Sequence, residues 1–295
     1  MPFVKWAGGK RRLAPLLIES FPQEFNPLKN RYFEPFIGGG ALMFALGDPE
    51  SKLFIPGKKL YINDMNPELT NTYEVIRDNV SLLIRALKIL SNKVDEETFY
   101  EIRSTIPRGK VARAARFIFL NKTCFNGLWR VNSKGEFNVP FGNPKKPSLF
   151  IESNLRACSN RLQGSNITNL SFEKAVTTAR KGDLVYFDPP YIPLSASASF
   201  SAYSKEGFGI IEQELLSKTI AKLTARGVYV LLSNSDTPMT RKIFGTTLTL
   251  RRILMSRSIS SSGSTRKPVF EVLGMNFSHL RGSAMGDLDL ISRPN

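Results

Sequence analysis

Short apolar runs that end in an acidic or amide residue recur along the chain and predict buried β-strands. The runs are Tyr32–Glu34, Leu60–Asp64, Asp183–Asp188 and Gly227–Asn234. Each is bounded by turn-forming residues, as is typical of strands buried in a mostly parallel sheet. Helical stretches lie between these runs, for example over Glu212–Ala225. This alternation predicts a doubly wound α/β fold.

The pattern changes between Asn66 and about Asn160, where helical segments dominate. They are predicted at Leu69–Ile76, Ser81–Leu90 and Val111–Lys122, and a loop rich in glycine, asparagine and proline follows over Asn126–Pro147. We interpret this region as a helical insertion in the α/β domain. The predicted organisation is a discontinuous main domain over residues 1–65 and 161–280, an inserted subdomain over 66–160 and a polar tail over 281–295.

Positive charge is concentrated in two segments of the chain. The 295 residues include 41 Lys and Arg against 25 Asp and Glu, a net charge of +16. Eleven basic and two acidic residues lie between Arg108 and Arg161, and seven basic and no acidic residues lie between Arg241 and Lys267. Uneven charge of this kind favours a polyanionic partner. Nucleic acid is favoured over membrane because neither segment is a long amphipathic basic helix.

Several classes of protein are excluded by what the sequence lacks. No apolar run reaches the length of about 18 residues that a transmembrane helix needs. The N-terminus has neither the basic start nor the apolar centre of a signal peptide. Two cysteines and one histidine offer neither a disulfide scaffold nor metal-ligand spacing. We therefore expect a cytoplasmic, nucleoid-associated protein with no membrane partner and no metal.

A glycine-rich turn follows the first predicted strand, over Phe33–Gly40, and a helix is expected to begin at Ala41. Such a turn at the carboxyl edge of a sheet lets a cofactor approach the backbone. A dinucleotide fingerprint would need glycine where the chain has Met43, so a cofactor without phosphates is favoured over NAD. Asp64 ends the next predicted strand, where an acid would bind ribose hydroxyls. Tight strand-to-helix packing is the alternative explanation of this turn.

The segment Asp188-Pro189-Pro190-Tyr191 follows another predicted strand. Its two prolines fix the backbone and remove two amide donors. The Asp188 carboxylate and the Pro189 carbonyl could then accept hydrogen bonds from a planar amino group, with Tyr191 as a stacking surface. A stiff turn whose aspartate caps a helix is the alternative. The position after a buried strand and a glycine-rich turn favours the functional interpretation.

A third segment, Lys5-Trp6-Ala7-Gly8-Gly9-Lys10, places a tryptophan between lysines near the N-terminus. Such a segment could wrap over a cofactor. It could equally be the start of a helix with an anchoring tryptophan, and the residues themselves do not distinguish the two.

In their residues and their order the three segments resemble motifs of Dam-type, α-class adenine-N6 DNA methyltransferases. The resemblance covers roughly residues 3–275, through Phe119–Lys122, Phe125–Arg130, Gly135–Gly142, Pro193–Ser195, Leu232–Asn234 and Arg257–Ser261. It implies a Rossmann-like methyltransferase sheet with S-adenosylmethionine as cofactor and GATC sites in double-stranded DNA as substrate. The main domain would then be catalytic, and the inserted subdomain would recognise the target.

The resemblance also implies roles for particular residues. Catalysis is expected of Asp188, Pro189 and Tyr191. Cofactor contacts are expected from Trp6, Lys10, Phe36, Gly38, Gly40, Asp64, Ser171, Phe172 and Asp188. DNA contacts are expected from Lys5, Phe125, Asn126, Leu128, Arg130 and Pro140, with Phe125 inserted beside a flipped base. Two positions depart from the family pattern: Phe125 replaces the tyrosine of some relatives, and Trp129 replaces a smaller residue.

Alternative functions remain open on these residues. One is an amino-methyltransferase acting on RNA adenine or on cytosine N4, and another is a catalytically silent DNA-binding protein. The apparently intact cofactor and Asp-Pro-Pro-Tyr segments favour an adenine-specific DNA methyltransferase. We expect a monomer, and the sequence leaves open whether the protein works alone or beside a cognate restriction endonuclease.

Overall fold

The computed structural model describes residues 1–47, 53–145, 147–192, 208–255 and 269–278. The chain divides into two compact units. The first comprises Met1–Glu19 and Phe36–Ala175, and the second comprises Ser20–Pro35 and Val176–Asn295. The functional domain boundaries expected from the sequence remain a prediction.

The described part of the chain contains helices and strands in alternation. The strands are β1 (Tyr32–Glu34), β2 (Leu60–Asn63), β3 (Asn166–Thr168), β4 (Leu184–Phe187), β5 (Tyr229–Ser235), β6 (Thr249–Met255) and β7 (Val269–Met275). The helices are α1 (Ala14–Glu19), α2 (Ala41–Ala45), α3 (Pro67–Ser91), α4 (Glu96–Ser104), α5 (Lys110–Thr123), α6 (Glu152–Leu162), α7 (Phe172–Ala175), α8 (Ile210–Ala225) and α9 (Pro238–Phe244). The predicted α/β class is confirmed.

The first unit contains the parallel pair β2 and β3, with Ile62 opposite Ile167. Helix α3 begins after Asn66, whose side chain accepts hydrogen bonds from two backbone amides of the first turn. The two helices predicted over Leu69–Ile76 and Ser81–Leu90 are the halves of α3. They form one element with a kink at Asn79, where φ is −138° and ψ is 33°.

Helix α5 ends just before the predicted DNA-contacting residues 125–130, and most of its residues are buried. Its residues from Phe117 to Asn121 are fully buried. The helix packs against α3 and α4 within the first unit. A buried helix of this kind provides a rigid support for the loop that follows it, over residues 124–142.

The second unit is built on strands in the order β1, β4, β5, β7 and β6. The pairs β1–β4 and β4–β5 are parallel, whereas β5–β7 and β6–β7 are antiparallel. The Asp183 carboxylate accepts hydrogen bonds from the Arg31 backbone and guanidinium at 2.6–3.0 Å, which ties the start of β4 to the start of β1. Strands β6 and β7, like β3 of the first unit, were not predicted from the sequence.

No helix in the described ranges combines the length and the apolar character needed to cross a membrane.

Candidate functional site

The glycine-rich turn is held from three directions within the first unit. The Gly38 amide donates to Asp64 Oδ2 at 3.0 Å, and the Gly38 carbonyl accepts from the Tyr73 hydroxyl at 3.0 Å. A Cβ on Gly38 would lie 2.6 Å from Trp6 Nε1, so the indole covers the turn closely. Gly38 and Gly40 both have positive φ, 46° and 69°, which favours glycine at these positions.

The Asp64 carboxylate has a structural role in this turn. Its Oδ1 accepts from the Asn66 amide at 2.9 Å while its Oδ2 accepts from Gly38. Burial raises the pKa of Asp64 above its ordinary value, against the opposing effect of these backbone hydrogen bonds. The expectation of a ribose contact remains a prediction. The structure shows that the same carboxylate also ties the end of β2 to the turn.

Two predicted cofactor-contacting aromatic residues lie together in the first unit. The rings of Phe36 and Phe172 stack with centroids 5.5 Å apart and an interplanar angle of 29°. The segment before α7, which includes Ser171, is held by the Asn63 side chain. This side chain accepts from the Leu170 amide at 2.8 Å and donates to its carbonyl at 2.9 Å. This role of Asn63 was not predicted from the sequence.

The N-terminal segment lies against the same turn. Lys10 is buried, and its Nζ donates to the Gly8 carbonyl at 3.2 Å. The side chain of Asn121 in α5 holds both backbone polar atoms of Lys5. The Lys5 backbone amide donates to Asn121 Oδ1 at 2.9 Å, and the Lys5 carbonyl accepts from Asn121 Nδ2 at 2.8 Å. The structure therefore brings together Trp6, Gly38 and Asp64, and it positions Lys5 beside the end of α5.

Residues 124–142 form an irregular two-stranded ribbon after α5. Isolated antiparallel bridges join Cys124 to Phe141 and Val131 to Phe137. The Phe125 amide donates to the Pro140 carbonyl at 2.9 Å, which places these two predicted DNA-contacting residues side by side. Phe125 is 53% exposed although it is a large apolar residue. An exposed aromatic residue on a supported loop suits contact with a partner.

Alternate residues of this ribbon face the protein and the solvent. Trp129 packs on Phe117 and Phe137, with ring centroids at 4.2 and 4.6 Å, whereas Leu128 and Arg130 on either side are exposed. The large residue at position 129 therefore fixes the ribbon to α5. This contact gives a structural reason for the departure from the family pattern.

Arg130 is oriented by a neighbour on the opposite arm of the ribbon. Its Nε donates to Asn138 Oδ1 at 2.8 Å. Within the described residues, its two terminal guanidinium nitrogens make no hydrogen bond. Asn126 nearby has φ 55°, in the left-handed region. The stem of Lys5 lies against Gly127, where a Cβ would be 2.6 Å from Lys5 Cβ, so Lys5 joins the same surface.

The Asp-Pro-Pro-Tyr segment follows β4 in the second unit. The Tyr191 hydroxyl donates to Glu271 Oε2 at 2.9 Å. Burial raises the pKa of Tyr191, and the nearby Asp188 and Glu271 carboxylates raise it further. Pro189 is buried, and no donor in the described ranges is hydrogen-bonded to its carbonyl, which lies beyond the strand ladder.

A buried amide network supports this segment. Gln213 Nε2 donates to the Pro190 carbonyl at 2.8 Å, and Gln213 Oε1 accepts from Asn234 Nδ2 at 3.1 Å. Asn234 Oδ1 accepts from the Ile192 amide at 3.2 Å, and the Ser235 hydroxyl donates to the Ile192 carbonyl at 2.5 Å. Gln213 was not predicted from the sequence. Its only signal was a glutamine inside the amphipathic pattern of α8.

Part of the positive charge counted in the sequence is neutralised by nearby acids. Asp236 lies just before the second basic segment, and its buried carboxylate binds Arg241 at 2.7 Å and Arg252 at 2.6 Å. In the first segment, salt bridges join Arg113 to Glu68, Lys110 to Glu74 and Arg156 to Glu152. The two basic segments therefore have less positive charge available to a polyanion than their numbers of Lys and Arg residues indicate. Arg130, Lys134 and Lys145 are exposed and have no acidic partner among the described residues.

Some residues named in the sequence analysis lie outside the described ranges. They are Lys146, Pro193–Ser195 and Arg257–Ser261, together with the predicted tail over 281–295.

Comparison with known proteins identifies similar chains over nearly the whole length. Residues 6–256 match the family described as D12 class N6 adenine-specific DNA methyltransferase. The chain is 38% identical over 284 residues to the type II methyltransferase M1.LlaDCHI of Lactococcus lactis subsp. cremoris, covering 94% of this chain and 95% of the relative. It is 38% identical over 291 residues to the type II methyltransferase M.MjaIII of Methanocaldococcus jannaschii, covering 94% and 99%. It is 34% identical over 277 residues to the DNA adenine methylase of Escherichia coli K12, covering 92% and 94%.

Proposed function

Since the chain belongs to the D12 class of N6 adenine-specific DNA methyltransferases, we propose that it methylates adenine N6 within GATC in double-stranded DNA, with S-adenosylmethionine as methyl donor. The family favours adenine in DNA over the alternatives of RNA adenine, cytosine N4 or silent DNA binding. The observation that carries the proposal is the supported Asp-Pro-Pro-Tyr segment. Its Pro189 carbonyl accepts no hydrogen bond from the described residues, and its Tyr191 ring is held by Glu271.

The residues of the first unit fit S-adenosylmethionine by their chemistry. A buried carboxylate at Asp64 suits ribose hydroxyls, and the stacked Phe36 and Phe172 rings suit the faces of a purine. The turn needs no pyrophosphate site, since this cofactor has no phosphate. We propose further contacts from Trp6, Lys10, Gly38, Gly40, Ser171 and Asp188. When bound, the cofactor supplies an electrophilic methyl group on a sulfonium sulfur.

The Asp188 carboxylate and the Pro189 carbonyl are proposed to accept hydrogen bonds from the adenine amino group. The N6 lone pair is delocalised into the ring, so the free base is a poor nucleophile. Two acceptors would draw N6 toward tetrahedral geometry and localise that lone pair. N6 would then form its bond to the methyl carbon of the cofactor as the carbon–sulfur bond breaks. The extra proton leaves the cationic N6 for Asp188 or solvent, and no covalent enzyme intermediate is needed.

Tyr191 and Phe125 are proposed to assist exposure of the adenine. In B-DNA the amino group lies within the base stack, so the base must be extruded at a cost of a few kcal/mol. Stacking on an aromatic ring contributes roughly 1–3 kcal/mol per base. Tyr191 would stack on the extruded base, and the exposed Phe125 would fill the gap in the duplex. The two contacts together would offset the cost of extrusion.

The ribbon over residues 124–142 is proposed to read the GATC sequence together with Lys5. Arg130 has a terminal guanidinium edge suited to guanine O6 and N7, a contact that contributes about 1–3 kcal/mol of discrimination. The exposed Leu128 and Pro140 side chains suit thymine methyl groups. Asn126 is proposed as a further DNA contact. Other exposed lysines and arginines would contact phosphates, which supports affinity but not sequence choice.

Methyl transfer to defined duplexes tests this function. Tritiated S-adenosylmethionine would be incubated with a GATC duplex, with duplexes carrying single base changes, and with a duplex already methylated at adenine N6. Nucleoside mass spectrometry of the product then distinguishes N6-methyladenine from N4-methylcytosine. We expect N6-methyladenine in the unmodified GATC duplex alone. Equal labelling of the changed duplexes would contradict GATC, and N4-methylcytosine would contradict the adenine assignment.

The proposed cellular setting follows from the DNA substrate. We propose a monomer that acts at the nucleoid in the cytoplasm. Two relatives are named as type II methyltransferases. A cognate restriction endonuclease is therefore a partner to test, by asking whether methylation by this protein protects DNA from that nuclease.

A further inference from the structure

One face of α5 contacts both the N-terminal segment and the ribbon that follows the helix. Asn121, which is fully buried, makes three hydrogen bonds to backbone atoms. Its side chain accepts from the Lys5 amide at 2.9 Å and donates to the Lys5 carbonyl at 2.8 Å and to the Gly127 carbonyl at 3.1 Å. A single buried amide therefore joins the segment before the helix to the ribbon after it.

Phe117, one turn earlier on the same face, makes a second connection of the same kind. Its ring centroid lies 6.4 Å from that of Trp6 and 4.2 Å from that of Trp129. Trp6 in turn covers Gly38 of the glycine-rich turn. Residues four apart on a helix lie on the same face, so Phe117 and Asn121 form one contact surface.

These contacts prevent the two segments from moving independently. If the N-terminal segment shifts, the Asn121 amide loses partners in a buried environment, and each unsatisfied buried group costs about 1–3 kcal/mol. Packing around Phe117 adds to this constraint, because close-packed side chains transmit small displacements. A ligand that ordered Trp6 and the turn would therefore be expected to order Lys5, Gly127 and the ribbon as well.

We propose that Asn121 and Phe117 are positioning residues that couple cofactor binding at the glycine-rich turn to sequence recognition by Lys5 and the ribbon. The inference rests on the proposed function of these two surfaces. Cofactor binding should tighten binding to the specific DNA sequence and should affect non-specific binding less. By linkage, specific DNA should raise the affinity for the cofactor by the same factor.

Three variants separate this coupling from a general structural role. Asn121→Asp keeps the shape and the acceptor for the Lys5 amide but removes both donors. Phe117→Leu shortens the side chain between Trp6 and Trp129. Thr123→Val is the matched control, since Thr123 is fully buried in the same helix and, among the described residues, its hydroxyl is hydrogen-bonded only to the Phe119 carbonyl of that helix.

The coupling is measured as the ratio of DNA dissociation constants without and with sinefungin, an unreactive cofactor analogue, on GATC and changed duplexes. We expect a ratio of about 5–150 for the unaltered protein and for Thr123→Val, in the usual range of coupling between sites. The ratio should fall toward 1 in Asn121→Asp and Phe117→Leu. A ratio near 1 in the unaltered protein would overturn the inference, as would an unchanged ratio in both folded variants.

Hydrogen exchange in the unaltered protein provides a test that does not depend on variants folding. Without DNA, sinefungin should slow amide exchange in the peptide covering residues 124–131 as well as in residues 3–10. Slowing confined to the cofactor residues would overturn the inference. Failure of the unaltered protein to bind either sinefungin or DNA would instead overturn the proposed function, so the two failures are distinguishable.

Discussion

The Tyr191 hydroxyl donates a 2.9 Å hydrogen bond to the Glu271 carboxylate, between residues 80 positions apart in the sequence. A tyrosine hydroxyl is protonated and can donate at neutral pH, and burial with the carboxylates of Asp188 and Glu271 raises the pKa of Tyr191 further above its ordinary value. The bond limits rotation and tilt of the ring. Tyr191 would therefore present a defined surface to the base that is proposed to stack on it.

We expect Glu271→Leu and Tyr191→Phe each to lower the single-turnover rate of methyl transfer by about tenfold, since a hydrogen bond to a charged group contributes about 1.5–3 kcal/mol. Because both remove the same bond, the double variant should be little slower than either single one. Glu271→Gln should retain most of the rate, since its side-chain oxygen still accepts. Tyr186→Phe is the control, as it removes a buried hydroxyl bonded to Ser233 instead. Additive losses would contradict this coupling.

Asp188→Ala should lower the methyl transfer rate by a factor on the order of 10²–10⁴, as expected for loss of a positioned acceptor of a proton. Asp188→Asn retains a carbonyl acceptor and should lower the methyl transfer rate by a smaller factor. Because Asp188 is also proposed to contact the cofactor, cofactor affinity, measured by equilibrium dialysis, should fall in both variants, but by a much smaller factor than the rate. A nearly normal rate for Asp188→Ala on a GATC duplex would exclude this residue from the reaction.

Asp64→Asn should weaken both the glycine-rich turn and cofactor binding. Both Asp64 oxygens accept hydrogen bonds from backbone amides. In the asparagine variant, the side-chain NH2 group would face one of these backbone N–H donors and leave it without an acceptor. We expect a loss of about 1–3 kcal/mol in the free energy of unfolding for one unsatisfied group. Weaker cofactor affinity would support the ribose contact as well. Lower stability with unchanged affinity, measured by thermal unfolding and calorimetry, would leave Asp64 with the structural role alone.

Arg130→Ala and Lys145→Ala should have different effects on DNA recognition. Loss of the Arg130 guanidinium should relax discrimination at one base pair by about 1–3 kcal/mol. Loss of the exposed Lys145 charge should weaken all duplexes about equally and reduce the salt dependence of binding. A panel of singly changed GATC duplexes at two salt concentrations decides between these roles. Uniform weakening by Arg130→Ala, with a smaller salt dependence, would identify a phosphate contact.

Both cysteines should react slowly with thiol reagents in the folded protein. Burial raises the pKa of Cys124 and Cys158 to about 11, and both side chains are at least nine-tenths buried. The reactive thiolate is then a fraction on the order of 10⁻³ at pH 8. Labelling with Ellman's reagent at pH 8 should be slow in native protein and fast after unfolding in guanidinium chloride. Rapid labelling of the native protein would contradict the burial of these thiols.

Local patterns in the sequence were enough to predict β1, β2, β4 and β5, because each strand is an apolar run with turn formers at its ends. Helix α8 was also predicted from a local pattern, the helical periodicity of its own segment. Strands β3, β6 and β7 were missed, because β3 has only three residues and none of them is buried, and because charged residues interrupt the apolar runs of β6 (Arg251 and Arg252) and β7 (Glu271). The sequence predicted two separate helices where the structure has one helix with a kink at Asn79. The periodicity of each half carries no information on the angle between the two halves.

The same distinction applies to the candidate site. The glycine-rich turn and the Asp-Pro-Pro-Tyr segment are each a short run of consecutive residues. The residue types within each run were therefore sufficient to suggest a cofactor and an amino-group acceptor. The partners that hold them are distant in the sequence: Asn121 binds Lys5 across 116 positions, and Asn234 binds Ile192 across 42. A buried amide must find partners, but only the packing of helices and strands determines which backbone atoms lie within its reach.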